Sequence, residues 1–439
     1  VYRRLIPILE AYDQPEGANL GPALSVVHNF AGAYSRSSWA VSGFTTDTDL
    51  FLDSPYREAL LVRVMRELTA KVFVRDLQTD LACYEPGETA HFSLQVANHG
   101  RLDADRLLTV TAGGQEVLRR RLVLTGGTTA RLDLDLPVTA DLGDLVRVTA
   151  RLEEEGRLAD ELATAFCVRS EAVLRSGPEL RWVGNQMTVD GRATFLVGSN
   201  QTGMMYYSPH ETPLVWDRDF ANMAAHNFHL LRILHFSPYS SGGYEGTPTN
   251  NPLDLAQRPE RLVRQMDAIV QLAQKHRVGI FLSLHDWMSV GLTDAELAAQ
   301  ADWNRFWAGR YRDVPGIIYD IQNEPSVDVP DRPDMLALWN AFLQERYGSD
   351  AALRAAWAQH PPEAALPNVP LGARTDEWDD VRSADRKRFE TVVLNRWIKA
   401  NLDGVRAGDP DAVVTVGYLP SMPPADKLLG AELLDFSNM

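Results

Sequence analysis

Cysteine is nearly absent from this chain. Two stand among 439 residues, Cys83 and Cys167, and no Cys-x-x-Cys occurs, which argues against a thiolate metal site. Both fall in a stretch that reads as β-rich. They either pair, if that region is extracellular, or remain two buried thiols. No apolar run reaches the length of a membrane span. Several chemistries lack their motifs: there is no Gly-x-Ser-x-Gly elbow, no His-Glu-x-x-His helix, no Gly-x-x-x-x-Gly-Lys loop and no Gly-x-Gly-x-x-Gly. Neither a metal nor a nucleotide cofactor is therefore indicated. Positive charge is also short: 43 Lys and Arg face 59 Asp and Glu, a net −16. Such a surface repels a polyanion, so nucleic acid is not the expected partner. The chain begins Val1-Tyr2-Arg3-Arg4, with no initiator Met and no signal peptide, and ends at Asn438-Met439 directly after an apolar stretch. Both ends read as cut. A secreted or periplasmic site is the expectation, with no leader to show it, and composition leaves the oligomeric state open.

What is present is an ordinary globular balance, 45% hydrophobic and 23% charged, at a length that predicts two or three domains. Residues 1–75 are mixed. Leu5–Glu10 is a short apolar segment, Gly21–Ser42 is rich in small and aromatic residues, and Tyr56–Leu68 has helical periodicity through Leu60, Leu61, Val64 and Leu68. So few residues make a poor independent core, and the segment reads as the tail of an upstream mixed α/β domain. Residues 76–170 predict an all-β module. Turn candidates at Glu85-Pro86-Gly87, Asn98-His99-Gly100, Ala112-Gly113-Gly114 and Thr125-Gly126-Gly127 separate alternating runs such as Ala130–Leu136 and Leu145–Leu152. Short strands with regular turns suggest an immunoglobulin-like sandwich, either a spacer or a carbohydrate-binding module.

From 171 to 439 the pattern becomes strand, helix, strand. Thr194–Ser199 reads as the first buried strand and His229–Phe236 as the second, after a short helix at Phe220–Asn227. The amphipathic helix Glu260–His276 precedes a strand at Gly279–Leu284. A helix at Asp302–Arg312 precedes one at Ile317–Gln322, and the long helix Ser383–Arg406 precedes Val413–Gly417. Leu433–Ser437 is the sixth strand. Near-continuous apolar strands between helices belong to parallel sheets, in a barrel or a doubly wound sheet. About ninety residues separate the fourth and fifth strands, more than a usual βα unit. The insertion, roughly 328–384, is either one wall of a cleft or an inert helical decoration.

The strand ends carry the chemistry. The second gives Arg232-Ile233-Leu234-His235, the third Leu284-His285-Asp286-Trp287, the fourth Gln322-Asn323-Glu324-Pro325 and the fifth Gly417-Tyr418. Four consecutive ends with titratable, amide or aromatic groups suggest one polar pocket over a buried sheet, as at the C-terminal face of a TIM barrel.

Asn323-Glu324-Pro325 at a strand end, behind Tyr311-Arg312-Asp313-Val314-Pro315-Gly316-Ile317-Ile318, is similar to the fourth strand of clan A glycoside hydrolases. The Arg232…His235…Pro238 stretch looks like that clan's second strand, and Trp339…Tyr347-Gly348…Trp357 resembles a helical segment of some β-galactosidase and endo-glycanase members. The resemblance covers roughly 185–439. It implies an incomplete (β/α)8 barrel, about six strands of eight, that cleaves β-linked glycans with retention. Glu324 would be the general acid/base. Arg232 would hold the nucleophile ionised, and that nucleophile, a Glu on the seventh strand, would lie beyond this chain, leaving it inactive alone.

Chemistry agrees with these roles. An ionised Glu cannot protonate a leaving group, but one beside a second carboxylate and partly desolvated can. Asn323 can bond a sugar 2-hydroxyl. Pro325 predicts extended geometry at Glu324. His235 and His285 either contact sugar hydroxyls or are packing histidines. Trp287 and Tyr418 either stack on a sugar or pack. Trp339 and Trp357 read as core. Asp286 and Asp320 are poor substitutes for a nucleophile, Asp320 lying on Glu324's face one layer deeper. The competing reading is a non-catalytic carbohydrate-binding or scaffold protein that keeps the barrel without the chemistry.

Overall fold

The structure is a computed structural model, and it describes residues 3–13, 19–44, 54–201, 212–234, 251–286, 288–325, 327, 329–372, 380–418 and 431–437. It is a mixed α/β chain of two compact units, Val1–Arg169 and Ser170–Met439, with several separate sheets.

The first unit opens on an antiparallel sheet of β1 (Arg3–Tyr12), β2 (Asn19–Asn29) and β3 (Ser38–Ser42). The helix α1 (Arg57–Thr69) supplies Val64, Leu60 and Leu68 to a small core with Ile8, Leu24 and Val26. Two further sheets follow. One holds β4 (Val72–Thr79), β6 (Thr89–Asn98) and β9 (Thr129–Pro137). The other holds β5 (Cys83–Tyr84), β7 (Ala104–Ala112), β8 (Gln115–Leu124), β10 (Leu145–Glu154) and β11 (Arg157–Val168), in the order β5-β11-β10-β7-β8. Alternation along these strands sends Leu94 and Val96 from one sheet, and Val110, Val148 and Phe166 from the other, into a single core. A buried fork joins β1 to this region: both Arg4 guanidinium nitrogens reach Asp160, at 2.7 and 2.8 Å, and Asp160 also accepts the Val74 N–H. Cys83 and Cys167 are buried register partners in the β5–β11 ladder.

The second unit begins with a small antiparallel sheet of β12 (Leu180–Val183), β13 (Gln186–Val189) and β14 (Arg192–Ala193). Its main sheet is parallel and holds β15 (Gly198–Gln201), β16 (Leu230–Ile233), β17 (Gly279–Ser283), β18 (Ile317–Asn323) and β19 (Val413–Gly417). Their order in space follows the chain with no reversal. The helices between them are α2 (Pro213–Ala225), α3 (Glu260–Lys275), α4 (Asp294–Arg310), α5 (Pro333–Tyr347), α6 (Asp350–Ala356) and α7 (Val381–Gly408). Helix α4 starts on a capping box, in which Thr293 and Glu296 satisfy each other's backbone N–H. The helices at 333–356 form a core of Trp339, Trp357 and Phe389 with the start of α7. Trp339 and Trp357 are thus packing residues.

The sheet differs from expectation at both edges. The first strand shares only Gly198 and Ser199 with the expected Thr194–Ser199 and is not buried: it runs Gly198–Gln201 with all four residues exposed, and Phe195 ahead of it is 90% exposed. Among the described residues only β16 pairs with it. Among the described residues, Leu433–Ser437 does not form the expected sixth strand. Around Leu433–Ser437 the Asp435 carboxylate takes the Val414 N–H at 2.7 Å and Arg406 at 2.8 Å, so a side chain occupies the donor that a new ladder needs. Five parallel strands, not six, are seen among the described residues, and they do not close into a barrel.

Candidate functional site

An open cavity of about 510 Å³ is lined by residues of all five strands, from Gly198 and Leu230 at the starts of β15 and β16, through Arg232 and Phe281, to Asn323, Glu324, Gly417 and Tyr418 at the C-terminal ends of β18 and β19. That volume falls in the range of small-ligand sites. Each lining group arrives by a local cause.

Arg232 is carried by β16. Its guanidinium lies over the Phe281 ring, 5.1 Å from the centroid, and pairs with the buried carboxylate of Asp320. It also donates to Asn323 Oδ1 at 3.0 Å. Gly417 leaves it room, since a Cβ there would lie 2.6 Å from Arg232 Nη2.

Asn323 and Glu324 sit on an irregularity. The β18–β19 register slips between Asp320 and Asn323, and slips of this kind re-aim side chains beside sites. Glu324 has φ +54, so the extended geometry expected from Pro325 is not what forms. Its N–H reaches the Gly417 carbonyl at 2.5 Å, which fixes a left-handed backbone that costs a non-glycine residue roughly 1–3 kcal/mol. The Glu324 side chain is exposed and edges the cavity, so the partial desolvation expected for it is not in place here. Asn323 is also held from behind, its N–H donating to Asp286 Oδ1 at 3.1 Å.

The other expected residues divide. Tyr418 lines the cavity but is 2% exposed. Burial, with Glu432 adding to it, raises its phenol so far that it stays neutral. His285 goes elsewhere. It is fully buried, with the amides of Asn304 on α4 and Asn401 on α7 beside it. Burial pushes its imidazole down to about 3 against those amides. It faces the helix layer rather than a sugar, because a residue just past the strand can turn to either face. His235 and Trp287 lie outside the described residues. None of the described residues lining the cavity comes from 328–384.

The structure adds a layer under the cavity that the sequence reading valued too little. Asp320 and Asp286, set aside as nucleophiles, are both buried and face the two sides of Ser283 Oγ, at 3.1 and 2.7 Å. Burial pushes the Asp320 carboxyl up to about 6, with Arg232 opposing and Asp286 adding to the rise. A signal for this layer was available: a single charged residue inside the otherwise apolar run Ile317–Ile321 is out of place unless something pairs with it. Among the described residues there is no group of three or more His, Cys, Asp or Glu able to hold a metal ion.

No family model matches the chain, and no curated protein matches it. Among solved structures its neighbours include β-galactosidases and β-glucuronidases. The β-galactosidase of the Antarctic haloarchaeon Halorubrum lacusprofundi is 18% identical with TM-score 0.41, over 52% of this chain and 37% of that one. The cold-adapted β-galactosidase of Rahnella sp. R3 is 18% identical with TM-score 0.44, over 59% and 40%. The β-glucuronidase of Bacteroides uniformis is 15% identical with TM-score 0.29, over 79% and 33%. The chain spans between a third and two fifths of the length of these three.

Proposed function

We propose that the second unit is part of a (β/α)8 glycosidase barrel of the clan A kind, and that the complete protein hydrolyses β-linked glycans with retention. Glu324 is its general acid/base. The observation that supports this is the meeting of Glu324, Asn323 and Arg232 at one cavity, with Asn323 and Glu324 at the C-terminal end of β18, the end of the strands at which barrel enzymes place their catalytic groups. Strand order without reversal supports a barrel over a doubly wound sheet, which turns back at a switch point. The first unit's paired sheets read as an immunoglobulin-like module.

In this mechanism a β-glycoside lies in the cavity with its leaving oxygen toward Glu324. That carboxyl donates its proton as the bond breaks and then draws one from water. Asn323 binds the 2-hydroxyl, a contact that strengthens as the ring flattens, and Arg232 holds a nearby anion. Bound sugar displaces water from the cavity, which is the desolvation Glu324 needs to hold its proton. The second carboxylate, about 5–5.5 Å from the first in retaining enzymes, is supplied from outside the described lining, where Glu324 is the one carboxylate.

The test is Glu324→Gln in the full-length protein. Turnover of β-glycosides with poor leaving groups should fall about 100-fold or more, while activated aryl glycosides keep most of their rate of bond cleavage. Equal loss on both would reject the acid/base role. A second reading, a sugar-binding protein without chemistry, draws on the exposure of Glu324 and its solitude in the described lining. Binding of oligosaccharides with no turnover of any aryl glycoside would favour it.

A further inference from the structure

Asp320 takes no part in the proposed reaction, yet two separate routes lead from its carboxylate to the rim of the cavity. It is fully buried in the middle of β18. The first route runs through side chains: Asp320 Oδ2 pairs with Arg232, and the same guanidinium nitrogen donates to Asn323 Oδ1 at 3.0 Å. The second runs through backbone: Asp320 Oδ1 accepts the Gly417 N–H at 2.9 Å, and the Gly417 carbonyl accepts the Glu324 N–H at 2.5 Å. Both routes end at the point where the ladder has slipped and Glu324 has a left-handed φ of +54. Nothing intrinsic to a glutamate favours that backbone, so neighbours have to impose it.

We infer that Asp320 is the positioning residue of this cavity: it anchors Arg232 and Gly417, and through them holds Asn323 and Glu324 in the slipped arrangement that presents both to the cavity. What this does for catalysis rests on the acid/base reading of Glu324; the anchoring itself does not. Glycine at 417 leaves the first route its room, because a Cβ there would press on the end of the Arg232 side chain. Asp286 lies beside Asp320. It accepts from the Asn323 N–H and from Ser283, so it steadies Asn323. Ser283 has a single hydroxyl proton between two carboxylates. Its shorter contact is to Asp286.

The experiment is residue-resolved amide hydrogen exchange at pH 7 on the full chain, comparing the unsubstituted protein with Asp320→Asn and Asp320→Ala. Asparagine keeps an acceptor for the Gly417 N–H and loses the charge that commits Arg232. Alanine loses both. For Asp320→Ala, the Gly417 and Glu324 amides should exchange at least about tenfold faster, while Ile280 and Ile318 in the same sheet change less than about twofold. For Asp320→Asn, Gly417 should stay protected while the Asn323 side-chain amide shifts in its NMR spectrum as Arg232 lets go. Uniform acceleration across the sheet would mean that Asp320 merely supports the fold, and no change at Gly417 and Glu324 would mean that it anchors nothing; either result overturns the inference. If the alanine variant does not fold, the Asn323 shift in Asp320→Asn decides alone. Turnover of aryl β-glycosides is a separate measurement. Its absence in the full-length protein would reject the acid/base reading and leave the exchange result standing.

Discussion

Two neighbouring strand ends in the second unit look alike as sequence and differ completely as structure. Strand β17 ends Ser283-Leu284-His285-Asp286, and β18 ends Asp320-Ile321-Gln322-Asn323-Glu324. Both put a titratable group just past an apolar run. Past β18 the ladder slips, and Asn323 and Glu324 come out at an open cavity. Past β17 the chain turns His285 back among the helices, against Asn304 and Asn401, and tucks Asp286 beneath the cavity rim. The lesson is about layers. A polar residue after a strand announces an end, but whether it enters the cavity or the helix layer depends on what the neighbouring elements offer it. Here a carbonyl on β19 accepts the Glu324 N–H, whereas His285 is buried beside Asn304 and Asn401, whose side chains bond each other.

If that division is right, damage on the two sides should differ in kind. The largest effect is expected on the helix side. Trp303 of α4 is fully buried, packs against Trp307 with ring centroids 5.6 Å apart, and donates to the Leu284 carbonyl at 3.2 Å. Trp303→Ala should lower stability by about 3–5 kcal/mol, the usual range for emptying a large aromatic site. Urea denaturation followed through the second unit's tryptophans would measure it. A loss under 1 kcal/mol would mean that the His285 layer is not packed as described. On the cavity side, Gly417→Ala should cost less, about 1–3 kcal/mol, because the atom it meets is the end of an arginine side chain. Its sharper mark should be local, the loss of the Arg232 to Asn323 bond. If Trp303→Ala and Gly417→Ala gave the same pattern of amide exchange, the two sides would be one cooperative layer and the contrast would fail.

The same division explains what could be read from the sequence. The helix Glu260–Lys275 was legible almost to the residue, because Leu262, Met266, Ile269, Val270 and Ala273 recur at helical spacing and all become buried. Val413–Gly417 was legible because five consecutive residues buried on both faces sit between a helix stop and a polar end. Thr194–Ser199 misled because its apolar residues look like a two-sided strand, yet Phe195 and Val197 face outward at a sheet edge. Leu433–Ser437 misled because Asp435 was read as one polar residue within a strand rather than as a side chain that bonds the backbone itself. At the candidate site, Glu324, Asn323 and Arg232 were legible from type and position. The slip that joins them was not, since it arises from a bond between backbone groups about ninety residues apart. Asp320 could be seen in the sequence, but its hub role depends on partners from three other strands.

A pH dependence, the smallest effect expected in the unsubstituted protein, separates the two strand ends by sign. The folded chain holds the Asp320 carboxyl at about 6, above its ordinary 3.8. Between those values the folded state binds more protons than the unfolded one. The Asp320 contribution is therefore fully present below 3.8 and is lost as pH rises through about 6. His285 runs the other way. Its imidazole is held at about 3, below the ordinary 6.5, so its contribution is present above 6.5 and is lost as pH falls through that window. Each slope approaches about 1.4 kcal/mol per pH unit where one proton differs between the states. Between about pH 4 and 6 the two oppose each other, and the unsubstituted second unit should vary little from these two groups. Asp320→Asn should expose the His285 slope, with stability rising as pH rises. His285→Gln should expose the Asp320 slope, with stability falling as pH rises. Urea midpoints at half-unit steps from pH 4 to 6.5 distinguish the cases. Slopes of the same sign in both variants would show that one of the two groups is not held as described, and the variant whose slope departs from its expected sign would say which.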